Sequence, residues 1–214
     1  MKELWFLRND CTYGNGKCDI NVTKKRIMKG ISDSDTRMKA YQKSEDLDSQ
    51  EAYFHLPSQD KLLLCCDGAS RGNPSIDGYG IVGTTYTCEF VVAISGGIGI
   101  STNLYAEVIA ILVAGEWVVH NGFLELIFRT DSHAVKKAFY NKNLPWFAIT
   151  RWEKICVAVV SWSFTHSYRE TNFSADSMAK KGAVLNRGEQ RIYTSKPAFL
   201  GCMESPDTVY FRFC

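Results

Sequence analysis

Five apolar residues, Leu62 to Cys66, run without a polar interruption into Asp67 and Gly68. Such a run suits a strand covered on both faces, as at the centre of a sheet flanked by helices, and so points to an α/β fold. It also delivers a carboxylate to the end of that strand. Three other short segments each carry an acid: TNLYAEV with Glu107, RTDSHAV with Asp131 and HSYRETNFSAD with Asp176. Four acids converging on one pocket would repel one another at neutral pH, because nearby like charges disfavour ionisation. A bound divalent cation removes that cost, since it becomes the largest local charge. All-oxygen ligands suit Mg²⁺ or Mn²⁺ rather than zinc. Two such ions about 4 Å apart support in-line displacement at phosphorus. The pattern reads as a metal-dependent phosphodiester hydrolase.

With 214 residues, 45% of them hydrophobic and 22% charged, the chain can bury one good core but hardly a second. A formal net charge of +2 gives no global basic field, so a nucleic-acid surface has to be a local patch. The opening residues MKELWFLRND lack a secretory signal pattern. The longest apolar run, Val108 to Ala114, is closed by Gly115 and Glu116 and is too short to cross a bilayer. Eight cysteines without framework spacing read as reduced thiols of an intracellular protein, in the cytoplasm or nucleus. Cys65 and Cys66, adjacent in a strand, should face opposite sides of the sheet. Cys11 and Cys18 lack the second ligand pair that structural zinc needs. The sequons at Asn21 and Asn172 would matter only after secretion. No membrane association is expected, and the chain is expected to be a monomer.

Residues 1–55 read as an extension or linker, polar and charged from Lys24 to Asp48 and partly disordered by composition. Within it, Lys24-Lys25-Arg26 with Lys29 reads as solvated charge ahead of a phosphate contact. Residues 60–186 carry the domain. Residues 187–214 form a tail whose Tyr210, Phe211 and Phe213 can pack back on it. After Leu62–Cys66 come a turn marked by Asn73-Pro74, Gly78 and Gly80, a strand near Tyr79–Tyr86 and a third at Cys88–Ser95, together an antiparallel meander. Thr102 or Asn103 can cap a helix in which Ala106, Ala110, Val113 and Trp117 keep helical spacing. A strand at Leu124–Phe128, a helix at Ser132–Tyr140, a turn and short helix from Pro145, a fifth strand at Val159–Phe164 and a last helix capped by Asn172 complete the order. The result is βββαβαβα with a mixed five-stranded sheet.

The segments CDGASRGNP, TNLYAEV, RTDSHAV and HSYRETNFSAD, in that order, resemble ribonuclease H of type 1. They are most similar to the ribonuclease-H-like domains of plant retroelement-derived proteins. Arg169-Glu170-Thr171-Asn172 resembles a signature of that plant branch, and Leu4-Trp5 with Arg8-Asn9 resembles the tail preceding the domain in retroelement polyproteins. The likeness implies a ribonuclease-H-like fold and hydrolysis of the RNA strand of RNA–DNA hybrids. It implies two Mg²⁺ ions, with Mn²⁺ as a substitute, and products ending in a 5′-phosphate and a 3′-hydroxyl. Asp67, Glu107, Asp131 and Asp176 would be the metal ligands, with Asp67 bridging both ions. His166, ten residues before Asp176, would handle the proton of the leaving group. Asn73 and Asn103 fall at positions that read the minor groove and 2′-hydroxyls, and Arg71 and Thr102 would contact phosphate.

Each of these residues also has a plainer reading. Asp67 can form an Asx turn, Glu107 and Asp176 can answer a helix dipole, and Asp131 can be an N-cap. His166 can be an idle loop histidine, and Asn73 a turn former. Three departures from the family pattern stand out. Ser75 replaces a glycine after Asn-Pro, and Leu104 replaces a second substrate-reading asparagine. The separation of 35 positions from Asp131 to His166 leaves no room for a basic helical handle. Weak hybrid binding follows, and two other readings stay open. One is a catalytically silent nucleic-acid-binding module of retroelement origin; the other is an interaction domain whose acids hold metal only structurally.

Overall fold

The computed structural model describes residues 49–70 and 74–213. Arg71, Asn73, the Lys24–Lys29 cluster, Leu4 to Asn9, Cys11, Cys18 and Asn21 lie outside the described residues. The elements run β1 (Ser49–Tyr53), β2 (Leu62–Ser70), β3 (Ser75–Thr84), β4 (Phe90–Ser101), α1 (Asn103–His120), β5 (Glu125–Thr130) and α2 (His133–Tyr140). Then come α3 (Trp146–Ala158), β6 (Ser161–His166), α4 (Phe173–Gly182), β7 (Gln190–Tyr193) and β8 (Val209–Phe213).

The main sheet is mixed, with order β6-β5-β2-β3-β4-β7. β2, β3 and β4 form the antiparallel meander, while β5 and β6 extend from β2 in parallel. β2 is therefore interior, as its apolar run requires, and Leu62 to Cys66 are all buried. Cys66 packs with Leu64 and the apolar face of α1, while Cys65 packs with Leu63, Phe54 and Ala175 of α4. The two cysteines do face opposite sides, and α1 and α4 cover the two faces. Burial pushes the Cys65 thiol up to about 12, so it stays a neutral packing group.

The sheet has six strands, not five. Gln190–Tyr193 pairs antiparallel with β4 from Ala93 to Gly96. An outer strand with a free row of backbone groups recruits such a partner, but β7 is four mostly exposed residues and carries no alternation to announce it. The described residues 187–213 are accordingly built into the fold rather than trailing from it. Leu200 is buried with Val82, Ala93 and Met178, and β8 pairs with β1. At the other end, Ala52 and Phe54 are buried, so the compact unit that spans Gln50–Arg212 reaches back into the expected 1–55 extension.

Strand limits also differ from those expected. Gly78 and Gly80 lie inside β3, not in a turn. A Cβ on Gly80 would sit 2.1 Å from the Ala179 nitrogen, so glycine is there to let α4 lie directly on the strand. β6 runs through His166 instead of stopping short of it. Helix α1, at 18 residues and mean hydropathy 1.2, has the length and composition of a membrane span, beyond what Val108–Ala114 alone suggested. Its apolar residues Val108, Ile111, Leu112 and Val118 are fully buried in the sheet core.

Candidate active site

The site forms where β2 and β5 end and α1 begins. Asp67 lies in β2, 3% exposed, where the apolar run gives out. Next to it, Gly68 permits the approach of α1. An added Cβ there would meet the Glu107 backbone nitrogen at 2.5 Å, so any other residue would push the helix off the strand. The Thr102 hydroxyl caps α1 by accepting from the Tyr105 amide at 3.3 Å, which sets the start of the helix and brings Glu107 inward, 5% exposed. Asp131 follows β5. It is not the N-cap of α2, because the Ser132 hydroxyl takes that place, accepting from the Val135 amide at 3.3 Å. The Asp131 carboxylate instead lines the pocket, with the Arg169 guanidinium beside it.

One oxygen from each of Asp67, Glu107 and Asp131 lies within 4.8 Å of the other two. Burial, with repulsion from Asp131 and Asp176, pushes the Asp67 carboxyl up to about 8. Burial and the neighbouring acids hold Glu107 well above the ordinary carboxylate range, with a Thr130 hydroxyl donating to it at 3.4 Å as slight relief. Asp131 is raised too, by burial, although the Arg169 guanidinium 3.3 Å from its Oδ2 works the other way. The donor set is all oxygen, buried and electrostatically strained, and so fits a hard divalent cation.

Asp176 stands apart from this triad. It lies in the first turn of α4, its side chain 27% exposed, and forms an ion pair with Lys180 one turn later. A cavity of about 220 Å³ is lined by Asp67, Asp131, Arg169, Asn172, Asp176 and Lys180, so the fourth acid does share the pocket.

Asn172 does not cap α4 with its side chain. Its Nδ2 donates to the Cys66 carbonyl at 3.2 Å, tying the start of α4 to β2 one residue before Asp67. Its Oδ1 is buried beside the acids with no partner among the described residues. The helix is capped instead by Glu204, which accepts from the Ser174 amide at 2.7 Å. No local signal pairs residues 30 positions apart, so this cap was invisible in the sequence. The buried Asn172 also closes the second sequon to a glycan in the folded chain.

His166 donates from Nε2 to the Asp131 carbonyl at 3.0 Å, and its ring stacks on His133 at 3.5 Å. Burial first, then the neighbouring His133, lowers its pKa and favours the neutral ring. His133 went unnoticed in the sequence, where it reads only as the first residue of a helix. Asn103 is exposed and lines the mouth of the site, whereas Leu104 is half-exposed and offers no hydrogen bond. Ser75 serves the fold here: its hydroxyl donates to buried Asp77 at 3.0 Å, and Ser101 donates to the same carboxylate at 2.6 Å.

The model of the Reverse transcriptase-like family matches residues 66–182. Ribonuclease HI of Halobacterium salinarum is 33% identical over 120 residues, which covers 54% of this chain and 60% of that protein. The chain thus matches less than two thirds of that relative's length. The crystal structure of RNase H1 from the same archaeon superposes with a TM-score of 0.53 at 30% identity, over 57% of this chain and 96% of that one. LC11-RNase H1, isolated from compost by a metagenomic approach and solved with an RNA/DNA hybrid, gives 0.51 at 26% identity over 57% and 96%. Every acid of the site and His166 fall within the matched residues, while β7, Glu204 and β8 fall beyond them. The chain therefore belongs to the Reverse transcriptase-like family, and its matched region has the ribonuclease H fold.

Proposed function

We propose that this chain hydrolyses the RNA strand of RNA–DNA hybrids with the help of Mg²⁺, with Mn²⁺ as a substitute. The observation that carries this reading is the triad: three acids from three parts of the fold, within 4.8 Å of one another and largely buried. Asp67, Glu107 and Asp131 would hold the metal, with Asp176 serving a second ion from the α4 side. When bound, divalent ions polarise phosphoryl oxygens and make water a stronger nucleophile.

The chain's own residues do the rest. Asp67 and Glu107 supply charge from positions that backbone packing fixes. With Nε2–H committed to the Asp131 carbonyl, Nδ1 of neutral His166 is the atom left to take up a proton and return it at the leaving oxygen. Asn103, exposed at the mouth, suits a contact to a 2′-hydroxyl or base edge, and the Thr102 hydroxyl keeps its proton for a phosphate while its oxygen caps α1.

The test is cleavage of a labelled hybrid by the full chain with Mg²⁺, with Mn²⁺ and with EDTA. RNA-strand products in both metals and none in EDTA are expected. Hybrid binding without products in either metal would favour a silent nucleic-acid-binding module, the reading to which the apolar, half-exposed Leu104 lends support.

A further inference from the structure

Glu107 and Asp131 also line a larger cavity, about 570 Å³, together with His133, Tyr168, Arg169, Glu170 and Arg212. Arg212 is the unexpected member. It comes from β8, the partner of β1, beyond the family-matched residues. Its guanidinium stacks 4.7 Å from the centre of the Tyr168 ring. Such stacking holds the plane of the fork while leaving its N–H edge free to donate. Among the described residues Arg212 has no ion pair, whereas Arg169 is engaged by Asp131. Ser167 also lines this cavity, and its buried hydroxyl has no hydrogen-bond partner among the described residues. An arginine stacked on Tyr168 in the lining of this cavity, with no carboxylate paired to it among the described residues, is equipped to receive an anion.

We propose that Arg212 binds a non-scissile backbone phosphate of the nucleic-acid substrate and so supplies, from the C-terminal strand, part of the grip that a basic handle would otherwise give. This rests on the hybrid-cleavage reading above. A phosphodiester suits the site better than small anions, because the cavity opens onto the acids that would receive the adjoining nucleotide. Tyr168 acts as the positioning residue.

The experiment measures binding of a short RNA–DNA hybrid to the full chain at several salt concentrations, with Ca²⁺ in place of Mg²⁺ to block cleavage. Arg212→Ala should weaken binding about tenfold, the scale for losing a hydrogen-bonded charge. The slope of log K against log salt should become shallower by about one, the signature of one lost phosphate contact. Arg212→Lys should restore the slope, because the charge remains, with only part of the affinity, because the fork is gone. Thermal unfolding should be unchanged in both variants, and Arg212→Gln serves if the alanine variant is unstable. Wild-type binding with an unaltered slope in Arg212→Ala or Arg212→Gln overturns this inference alone. A wild-type chain that does not bind hybrid overturns it together with the proposed function. Displacement of the hybrid by a micromolar 5′-mononucleotide, relieved in Arg212→Ala, would make the site a terminal-phosphate pocket and overturn the backbone assignment.

Discussion

On the α1 face of the sheet, Glu107 is pressed against Asp67 with 5% exposure, and Gly68 lets backbone meet backbone there. On the α4 face, Asp176 keeps 27% side-chain exposure and carries its own cation, Lys180. Both helices bring an acid towards Asp67 of β2, but the first has only a long bond from the Thr130 hydroxyl while the second is already paired with a cation. Close packing sets Asp67 and Glu107 against each other, so their charge has to be answered from solution, while Asp131 has the Arg169 guanidinium beside it. The α4 limb can exchange one partner for another. The rigid half demands a cation and is suited to holding an ion firmly. The adjustable half brings a cation of its own.

The largest effect should come from breaking the rigid half. Asp67→Asn or Asp131→Asn should cut hybrid cleavage by at least about a hundredfold. The metal-free protein should melt no lower than wild type, because the amide removes a repelling carboxylate without changing shape. Cleavage above about a tenth of the wild-type rate, measured on a labelled hybrid, would mean the triad is not where the chemistry happens. His166→Ala should slow turnover on the order of 10- to 1000-fold, as expected for a general acid–base group. A loss as complete as that of Asp67→Asn would give the histidine a structural or metal role instead.

The support beneath the α4 half can be broken from a distance. Glu204→Ala leaves the Ser174 amide without its cap and should cost about 1–2 kcal/mol in denaturant unfolding. Cleavage should fall with it, through looser placement of Asp176. Unchanged stability would show that another group caps α4.

Titration of the metal-free protein compares the halves directly. Asp67 is raised from 3.8 to about 8, and Glu107 and Asp131 are raised as well. Between those values the unfolded chain has released protons that the folded chain still binds, so stability falls as pH rises. The melting temperature should therefore drop from pH 4 towards pH 8, and divalent metal should restore it more at pH 8 than at pH 5. A flat profile, or a metal effect independent of pH, would show that the acids are not coupled in this way. The smallest effect belongs to Lys180→Ala. Freeing Asp176 should lower the metal concentration for half-maximal cleavage by less than about fivefold, as befits a largely exposed pair. A larger change would make Lys180 part of the rigid half.

Much of the site was legible because its signals are local. An apolar run ending in Asp67-Gly68, an acid one turn into the helix after Thr102, and Asp131 at a strand-to-helix junction all carry their geometry within a few residues. So does the meander of β2, β3 and β4, whose existence survived even where its limits shifted. The sequence left open whether Asp131 was the helix cap; Ser132 takes that cap instead. It misread Gly78 and Gly80 as a turn, because a glycine demanded by a helix lying across a strand looks the same as one demanded by a bend.

What the sequence determined by itself, then, is the family and the α/β order, with the four acids and His166 as candidates for the site, all of which follow from short segments and their succession. Only the tertiary structure decided which acids cluster, that Asp176 is paired while Glu107 is not, and that Asn172 ties α4 to β2. It also decided that β7, Glu204 and Arg212 of the supposed tail belong to the sheet, the helix cap and the rim of the site. The reason is physical. Helix and strand periodicity act over a few residues, whereas burial, repulsion and capping depend on which distant groups the packed chain brings within a few ångströms of one another.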